Sequence, residues 1–483
     1  MRYFYSFPIL CLTFIYFPQF AFGQIPNLPT IDNPNPQSLF SASEIVSLTT
    51  NNKGISKQIP QSNNSDYEKL KRQNEAMIKE VNRDIDAQIQ AQKEQLYYQQ
   101  KEREYAQTYL LTPLSDKAGT SAYYSAFENL SKFNPDNFSI ADATFVVENA
   151  FSNNDKDLQA TFQNSIQKAV KIINGQLEKN SVEQSDNMGK NLTLFRYFSE
   201  DTKQNGKILH KAVKYDFDDY FGTKDFSKMF VSKLMKTGMG QCHSMPLLYL
   251  ILAEQIGAEA YLVMSPNHSY IRFPDDEGNL LSIELTNGMF SASSFVLNSG
   301  FIKSEALQSK IYMQNLNRQE LLSQTFADMA SGYIHKFGYD EFADKVVDKA
   351  LSLNPHNITA HLLKSNIDQK RFEQACNRLG INPNDKNDLQ RIGNYPILVN
   401  QLGEINRQYD NIEQMGYAYM PSEDYEKWLG SLKQAENQQM SDKISERMKA
   451  IAAQKAREAS QKRKTVIPKK DAPKTYQIPK ELL

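Results

Sequence analysis

Residues 237–273 constrain the fold of this chain more than any other part of the sequence. They read TGMGQCHSMPLLYLILAEQIGAEAYLVMSPNHSYIRF. Gly238 and Gly240 permit a tight turn, and the apolar run behind them predicts a helix from about Ser244 to Gln255. Gly257 is well placed to end that helix. Because leucine and isoleucine dominate the run, we expect the helix to be buried and to hold the cysteine in front of it rigidly.

The residues that follow this helix alternate between apolar and polar side chains, as strands do. AYLVMS and HSYIRF predict two strands separated by a break at Pro266 and Asn267. LLSIELTNG predicts a third strand after the turn DDEGN. A buried helix beside a small antiparallel sheet, in a chain whose other segments have mostly helical periodicity, indicates a mostly helical α+β protein.

The position of the cysteine suggests nucleophilic chemistry. The chain has three cysteines, Cys11, Cys242 and Cys376, which are too few for a disulfide framework. Cys242 stands directly before the buried helix, where the helix dipole and the outward backbone N–H groups favour a thiolate. The backbone N–H of Cys242 can also donate to an oxyanion on an attacked carbonyl. The alternative is a buried structural thiol, the usual fate of a cysteine near a helix and the one we assign to Cys376.

A reactive thiolate needs a base, and His268 at the start of the second strand is the candidate. Glu284 in the third strand is the candidate to orient the imidazole. Glu284 stands opposite His268 if Pro274 pairs with Gly278 across the turn. A pairing shifted by one residue would turn the carboxylate to the other face of the sheet. Asn287 is the fallback for the orienting role.

Two segments together resemble the core of the transglutaminase-like superfamily, a papain-like fold with a Cys-bearing helix on a small antiparallel sheet. They are GQCHSMPLLYLILAEQIGAEAYLVMSPNHSYIRF and LLSIELTNG. SIADATFVVENAF and KALSLNP look like the SirB-type bacterial members, which join this core to tetratricopeptide repeats. The resemblance implies that Cys242 is the nucleophile, His268 the general base and acid, and Glu284 the orienting carboxylate. The superfamily usually has aspartate at the third position. Many members also carry a tryptophan near the nucleophile, whereas the one tryptophan here is Trp428.

Changes in composition divide the chain into parts of different character. The leader has a positive start, an apolar run and the small-x-small site AFG, which together predict export to the periplasm or the outside of a bacterial cell. The expected parts are a signal peptide over 1–23, a disordered linker over 24–65, a long charged amphipathic helix over 66–111, a transglutaminase-like domain over 114–300, a helical region like tetratricopeptide repeats over 301–438, and a basic, disordered tail over 439–483.

Helical patterns flank the central segment on both sides. Helices are expected around residues 155–180 and 205–235, and MPSEDYEKWLGSLKQAE predicts a final capping helix. Ala343, Ala350 and Pro355 fall at the spacing of the tetratricopeptide repeat. Because one repeat cannot bury its own face, we expect one or two helical hairpins docked on the core.

Composition also bears on partners and cofactors. The formal net charge of -1 gives no indication of nucleic acid or an anionic membrane as partner. No stable membrane span is expected once the leader is removed. A metal site is not expected because Cys242 and His243 are adjacent and nothing near them offers ligand spacing. His243 is also a poor candidate for the base, because consecutive residues point to different sides. We expect no cofactor, and we expect a protein or peptide as substrate or partner.

Two functions are therefore open. The first is an exported transglutaminase-like cysteine hydrolase, a peptidase or amidase that acts by acyl transfer through Cys242, His268 and Glu284. The second is a non-catalytic protein-binding scaffold that keeps the same fold and the repeat-like helices. Whether the chain is an enzyme at all is left open by the sequence. A third, weaker hypothesis is a structural envelope protein in which residues 66–111 form a coiled coil.

Overall fold

The computed structural model describes residues 64–286, 288–291, 296–297 and 299–431, and the pairs 445–446, 449–450, 453–454 and 457–458. The predicted signal peptide, almost all of the predicted linker and most of the basic tail lie outside the described residues. Helices make up most of the described part and an antiparallel sheet lies among them, so the fold belongs to the α+β class.

Helices come before and after a central group of short strands. The helices are α1 (Asn64–Thr108), α2 (Thr120–Leu130), α3 (Ile140–Phe151), α4 (Lys156–Lys179), α5 (Asn187–Ser199), α6 (Val231–Thr237), α7 (Ser244–Ile256), α8 (Ser304–Gln308), α9 (Arg318–Phe337), α10 (Glu341–Leu353), α11 (Ile358–Arg378), α12 (Lys386–Leu389), α13 (Pro396–Gln414) and α14 (Ser422–Ser431). The strands are β1 (Thr202–Gln204), β2 (Lys207–His210), β3 (Lys214–Tyr215), β4 (Met239–Gly240), β5 (Tyr261–Ser265), β6 (His268–Pro274), β7 (Leu280–Glu284) and β8 (Met289–Ser291).

Side-chain caps fix where several of these helices begin. The hydroxyl of Ser139 accepts a hydrogen bond from the backbone N–H of Asp142, which starts α3. Asn317 and Glu320 form a reciprocal capping box at the start of α9. α7 ends at Gly257, whose φ of 64° is the left-handed conformation that glycine adopts without a steric penalty. That end confirms the stop predicted from the sequence.

The larger sheet has the order β5-β6-β7-β8, and all of its pairs are antiparallel. The expected pairing of Pro274 with Gly278 is wrong, because Pro274 pairs with Leu280. The register is shifted by two residues and not by one. Since side chains alternate with a period of two, Glu284 stays on the same face of the sheet as His268. β8 adds a fourth strand that the alternation did not predict.

Helix α7 lies at the centre of the domain, as its apolar sequence predicts. Its residues from Ser244 to Ala253 are all buried. Helices α3, α4, α5 and α6 surround it together with strands β5 and β6. Its one large polar side chain in the middle, Tyr249, donates from its hydroxyl to the side-chain oxygen of Asn191 on α5 at 3.0 Å. The helix is therefore a rigid support for whatever stands at its N-terminus.

The segment predicted to be helical over 205–235 is helical only near its end, and that prediction is wrong for the rest. Asn205 and Gly206 both have positive φ and form the tight turn of the β1–β2 hairpin. Farther on, the carboxylate of Asp219 accepts hydrogen bonds from the backbone of the residues after it and folds the chain into a compact loop. A short 3₁₀ helix, Phe226–Met229, leads from this loop into α6.

The C-terminal half is a set of packed helical hairpins. α9 packs against α10, α10 against α11, and α11 against α13. The ammonium group of Lys364 on α11, almost wholly buried, pairs with Asp344 at 2.5 Å and Asp348 at 2.7 Å, both on α10. α9 also packs on α2 and α3, so these helices are docked directly on the domain that contains α7.

Helix α1 matches the long helix predicted over 66–111, and apolar side chains along it are exposed. Leu70, Met77, Val81 and Ile85 are each about half or more exposed. Near its C-terminal end, the guanidinium group of Arg378 donates to backbone carbonyls, among them that of Thr108 at 2.9 Å. Within the described residues, no helix combines the length and the hydropathy needed to cross a bilayer.

Candidate active site

The loop before α7 fixes the position of Cys242. Gly238 ends α6 with a φ of 70°, and the next two residues form β4, which pairs with β3. The backbone N–H of Gln241 donates to the hydroxyl of Ser244 at 3.0 Å, which closes the turn into the helix. Cys242 therefore stands at the N-terminal end of α7, where the helix dipole favours a negative charge.

Close packing explains the glycine two residues before the cysteine. A Cβ atom at Gly240 would lie 2.8 Å from the Met245 side chain and 2.9 Å from that of Leu234. Both contacts are too short for any residue larger than glycine without displacement. On the other side, the hydroxyl of Ser269 donates to the backbone carbonyl of Cys242. The cysteine is thus held between α6, α7 and β6.

The sheet brings His268 and Glu284 together. His268 is the first residue of β6, directly after Asn267, whose φ of 55° makes the break between β5 and β6. Its Nε2 lies 2.8 Å from Oε2 of Glu284, the last residue of β7. The other carboxylate oxygen accepts the backbone N–H of Thr286 at 3.0 Å. Both carboxylate oxygens are therefore engaged, and the imidazole is fixed in orientation.

The second ring nitrogen of His268 faces the thiol side of the site. Nδ1 lies 3.3 Å from the hydroxyl of Tyr425, and that hydroxyl lies 3.6 Å from Sγ of Cys242. The side chains of His268 and Glu284 are 0% and 2% exposed, so water does not screen their interaction. The three residues predicted from the sequence thus form one buried cluster, and Tyr425 is a fourth member that was not predicted.

The ionisation of the cluster follows from these contacts. Burial alone lowers the pKa of His268, but the charge of Glu284 and the hydrogen bonds to Cys242 and Glu284 outweigh it and raise the pKa to about 10. Burial alone raises the pKa of the Cys242 thiol, but the hydrogen bond and charge of His268 bring it below the ordinary value of 9.0. Burial also raises the pKa of Glu284, and His268 and Thr286 more than reverse this. Each of these shifts favours the charged form: a thiolate, an imidazolium and a carboxylate.

No protein family, curated protein or solved structure matches this chain. The geometry of the site and the sequence resemblance are therefore what supports a function.

A cavity of about 620 Å³ opens beside Cys242 and His268. This volume is typical of sites that hold small ligands or a few residues of a peptide. One wall is mainly apolar and is formed by β5 together with the C-terminal helices, including Met264, Ile358 and Leu362. The thiol therefore lies at the edge of a space large enough for a substrate.

Another part of the cavity lining is polar and contains His243. Its Nε2 lies 3.0 Å from a carboxylate oxygen of Asp328, and its Nδ1 lies 3.0 Å from the backbone carbonyl of Met229. Burial lowers the pKa of His243, but the charge and hydrogen bond of Asp328 raise it to about 9. The ring of His243 is thus held by Asp328 and by the backbone of Met229. Its positive charge also helps to lower the pKa of Cys242.

The other residues considered for the site differ in where they lie. Asn287, the fallback for orienting His268, lies outside the described residues. Cys376 is buried, and burial raises the pKa of its thiol to about 11. Among the described residues there is no group of three potential metal ligands. Tyr425 and Trp428 were missed as site residues, although the only tryptophan of the chain was a signal that the final helix has something specific to cover.

Proposed function

We propose that the chain is an exported cysteine hydrolase of the transglutaminase-like kind, with a papain-like core and repeat-like helices that recruit a protein or peptide. One observation carries the proposal. A buried imidazole is held by a carboxylate at Nε2, while Nδ1 faces a cysteine at the N-terminus of a buried helix. The sequence resemblance in residues 237–288 and the leader predicted over residues 1–23 support the transglutaminase-like core and the export.

The first half of the proposed reaction forms a thioester. The Cys242 thiolate attacks the carbonyl carbon of an amide or ester, a C–S bond forms, and the carbonyl π electrons move to oxygen. The imidazolium of His268 then gives its Nδ1 proton to the leaving nitrogen or oxygen as the carbonyl reforms. The leaving group departs as an amine or alcohol, and the acyl group stays on sulfur.

The second half returns the enzyme to its starting state. His268, now neutral, takes a proton from water, and the resulting hydroxide adds to the thioester carbonyl. The C–S bond breaks, a carboxylic acid leaves, and the thiolate–imidazolium pair is restored. Glu284 holds the ring in one orientation throughout and stabilises its positive charge. An amine in place of water would give a transamidation, and outside the cytoplasm water is the more abundant acceptor.

The oxyanion that forms in each half needs a hydrogen-bond donor. The backbone N–H of Cys242 lies at the N-terminal end of α7, where the helix dipole favours negative charge. This is the donor that we assign to the oxyanion. The mixed apolar and polar walls of the cavity fit an acyl donor with peptide character, because such a substrate offers both surfaces.

Thiol labelling tests the proposal without knowledge of the substrate. Iodoacetamide is applied to the full chain at pH 7, and modification of Cys242 is followed by mass spectrometry. We expect His268→Ala to slow the labelling of Cys242 by tenfold or more, because the imidazolium no longer stabilises the thiolate. His356→Ala, on a histidine outside the cavity, is the matched control and should leave the rate unchanged. An equal rate in the wild-type chain and in His268→Ala would contradict the proposal.

The second function, a scaffold without catalysis, is favoured by a different observation. Cys242 is only 8% exposed, and the hydroxyl of Tyr425 lies within reach of both its sulfur and the imidazole. A scaffold would bind peptide in the cavity and leave the bond intact. Incubation with a mixed peptide library separates the two functions: the hydrolase gives new termini that depend on Cys242, whereas the scaffold retains peptides equally well in Cys242→Ala and cleaves none.

A further inference from the structure

Helix α14 lies directly over the cysteine and the histidine, although it is more than 150 residues farther along the chain. Tyr425 on this helix is completely buried. Its hydroxyl is within hydrogen-bonding distance of Nδ1 of His268, at 3.3 Å, and of Sγ of Cys242, at 3.6 Å. A phenol in this position can donate to the thiolate and accept from the imidazolium. It therefore satisfies both members of the ion pair in the resting protein.

Other contacts hold the helix in this place. The backbone carbonyl of Met420, just before α14, accepts from the side-chain amide of Asn267 at 2.9 Å. Glu426 accepts from the hydroxyl of Tyr220 at 2.8 Å. The indole of Trp428 meets the imidazole of His268 edge to face, with ring centroids 4.9 Å apart. The helix thus covers the thiol and the imidazole and also forms part of the cavity lining.

The hydroxyl of Tyr425 occupies the place that the reaction needs. In the proposed reaction the leaving nitrogen must come within hydrogen-bonding distance of Nδ1 to receive its proton. The phenol oxygen is already at that distance from Nδ1, and two atoms cannot share the position. A productive substrate must therefore displace this hydroxyl. The Tyr425 ring is too tightly packed to move alone, since its centroid lies 5.1 Å from that of the Phe221 ring and 5.8 Å from that of the Trp428 ring.

The helix that carries the phenol is a short element with few buried side chains. α14 has ten residues, of which Tyr425 and Leu429 are its buried ones. A short element with few buried side chains opens at a lower free-energy cost than the whole domain. Gly416, with a φ of 89°, precedes the segment and gives a left-handed turn between α13 and the residues that lead into α14.

We propose that residues 420–431 form an inhibitory latch, in which Tyr425 fills the leaving-group position of the site and α14 must swing away before a substrate can react. The role of the latch in controlling acyl transfer rests on the proposed function. The blocking of the sulfur does not: with the helix in place, a small electrophile cannot reach the sulfur from this side.

The test measures access to the thiol in the full-length chain. Tyr425→Ala removes the ring and the hydroxyl, and we expect iodoacetamide to label Cys242 at least tenfold faster at pH 7 than in the wild-type chain. Leu429→Ala loosens α14 and leaves the phenol intact, and it should raise the rate in the same direction. Tyr67→Phe, on the exposed helix α1, is the control and should leave the rate unchanged. Circular dichroism confirms that each variant is folded.

Slower or unchanged labelling in both folded variants, Tyr425→Ala and Leu429→Ala, overturns the latch and makes the phenol a support for the thiolate. The combination of His268→Ala with Tyr425→Ala separates this failure from failure of the proposed function. If the latch holds and the function does not, Tyr425→Ala accelerates labelling and the added His268→Ala has no effect. If the function holds and the latch does not, His268→Ala alone slows labelling and Tyr425→Ala gives no acceleration.

Discussion

Replacement of Glu284 by glutamine isolates the charge of the carboxylate from its size. The wild-type carboxylate accepts the Nε2 proton of His268 at 2.8 Å. A glutamine amide in the same place can donate to Nε2, which moves the ring proton to Nδ1, the nitrogen that faces the thiol. A neutral ring with its proton at Nδ1 cannot take the proton of the thiol. The substitution therefore disfavours the thiolate–imidazolium pair.

The size of the effect follows from the buried hydrogen bond. The pKa of His268 is about 10, well above its ordinary value of 6.5, and the charge of Glu284 is the largest of the contributions that raise it. Hydrogen bonds to charged groups contribute about 1.5–3 kcal/mol, which corresponds to a population change of about 10- to 150-fold. We therefore expect Glu284→Gln to slow the labelling of Cys242 at pH 7 by a factor in this range.

The assay is the ratio of labelling rates between variant and wild-type chains under the same conditions. Because α14 covers the thiol in both, the ratio reports the ionisation of Cys242 and not its accessibility. Glu277→Gln, in the exposed turn between β6 and β7, is the matched control and should give a ratio near one. If a folded Glu284→Gln protein is labelled within twofold of the wild-type rate, the carboxylate does not maintain the ion pair, and our account of the site is wrong.

Three further predictions concern pH and stability. Labelling of Cys242 falls as the pH drops through the lowered pKa of its thiol, and His268→Ala should move that fall to higher pH in a rate–pH profile. Gly240→Ala should lower the free energy of unfolding by about 1–3 kcal/mol through overpacking, whereas Gly175→Ala, at an open helical position, should raise it by up to about 1 kcal/mol in the same denaturant titration. Lys364→Ala removes the cation of Asp348 and one of the two cations of Asp344, which keeps Arg371, and should lower the free energy of unfolding by about 1–3 kcal/mol; an unchanged melting temperature would contradict this.

Local sequence patterns predicted the centre of the fold well. The apolar run before Gly257 predicted a buried helix over 244–255, and α7 spans Ser244–Ile256. Alternation predicted strands β5 and β6 and the break at Asn267 between them. These features depend on contacts between residues close in sequence and on burial, which periodicity reports directly. The closeness of His268 and Glu284 was predictable for the same reason, because one short turn joins their strands.

The features that were missed depend on pairings over longer distances or on particular turns. The hairpin at Asn205 and Gly206 lies in a segment whose pattern predicts helix, because polar residues around a tight turn do not show strand alternation clearly over so few positions. The register of β6 and β7 depends on the turn conformation, which the sequence DDEGN does not specify uniquely. The contact of Tyr425 with Cys242 joins residues 183 positions apart, and no local pattern encodes such a contact.

Stability alone gives no reason to bury this set of ionisable groups. A buried ion pair seldom stabilises a fold more than apolar side chains of similar size, since the cost of removing both charges from water offsets their attraction. His268, Glu284 and Cys242 are each at most 8% exposed and lie against a core of apolar side chains. The chain nevertheless keeps a cavity beside them and a phenol that can hydrogen-bond to both the thiol and the imidazole. A purely structural thiol needs neither the buried imidazole and carboxylate nor the cavity and the phenol. A nucleophile that must stay ionised while it is covered needs all four.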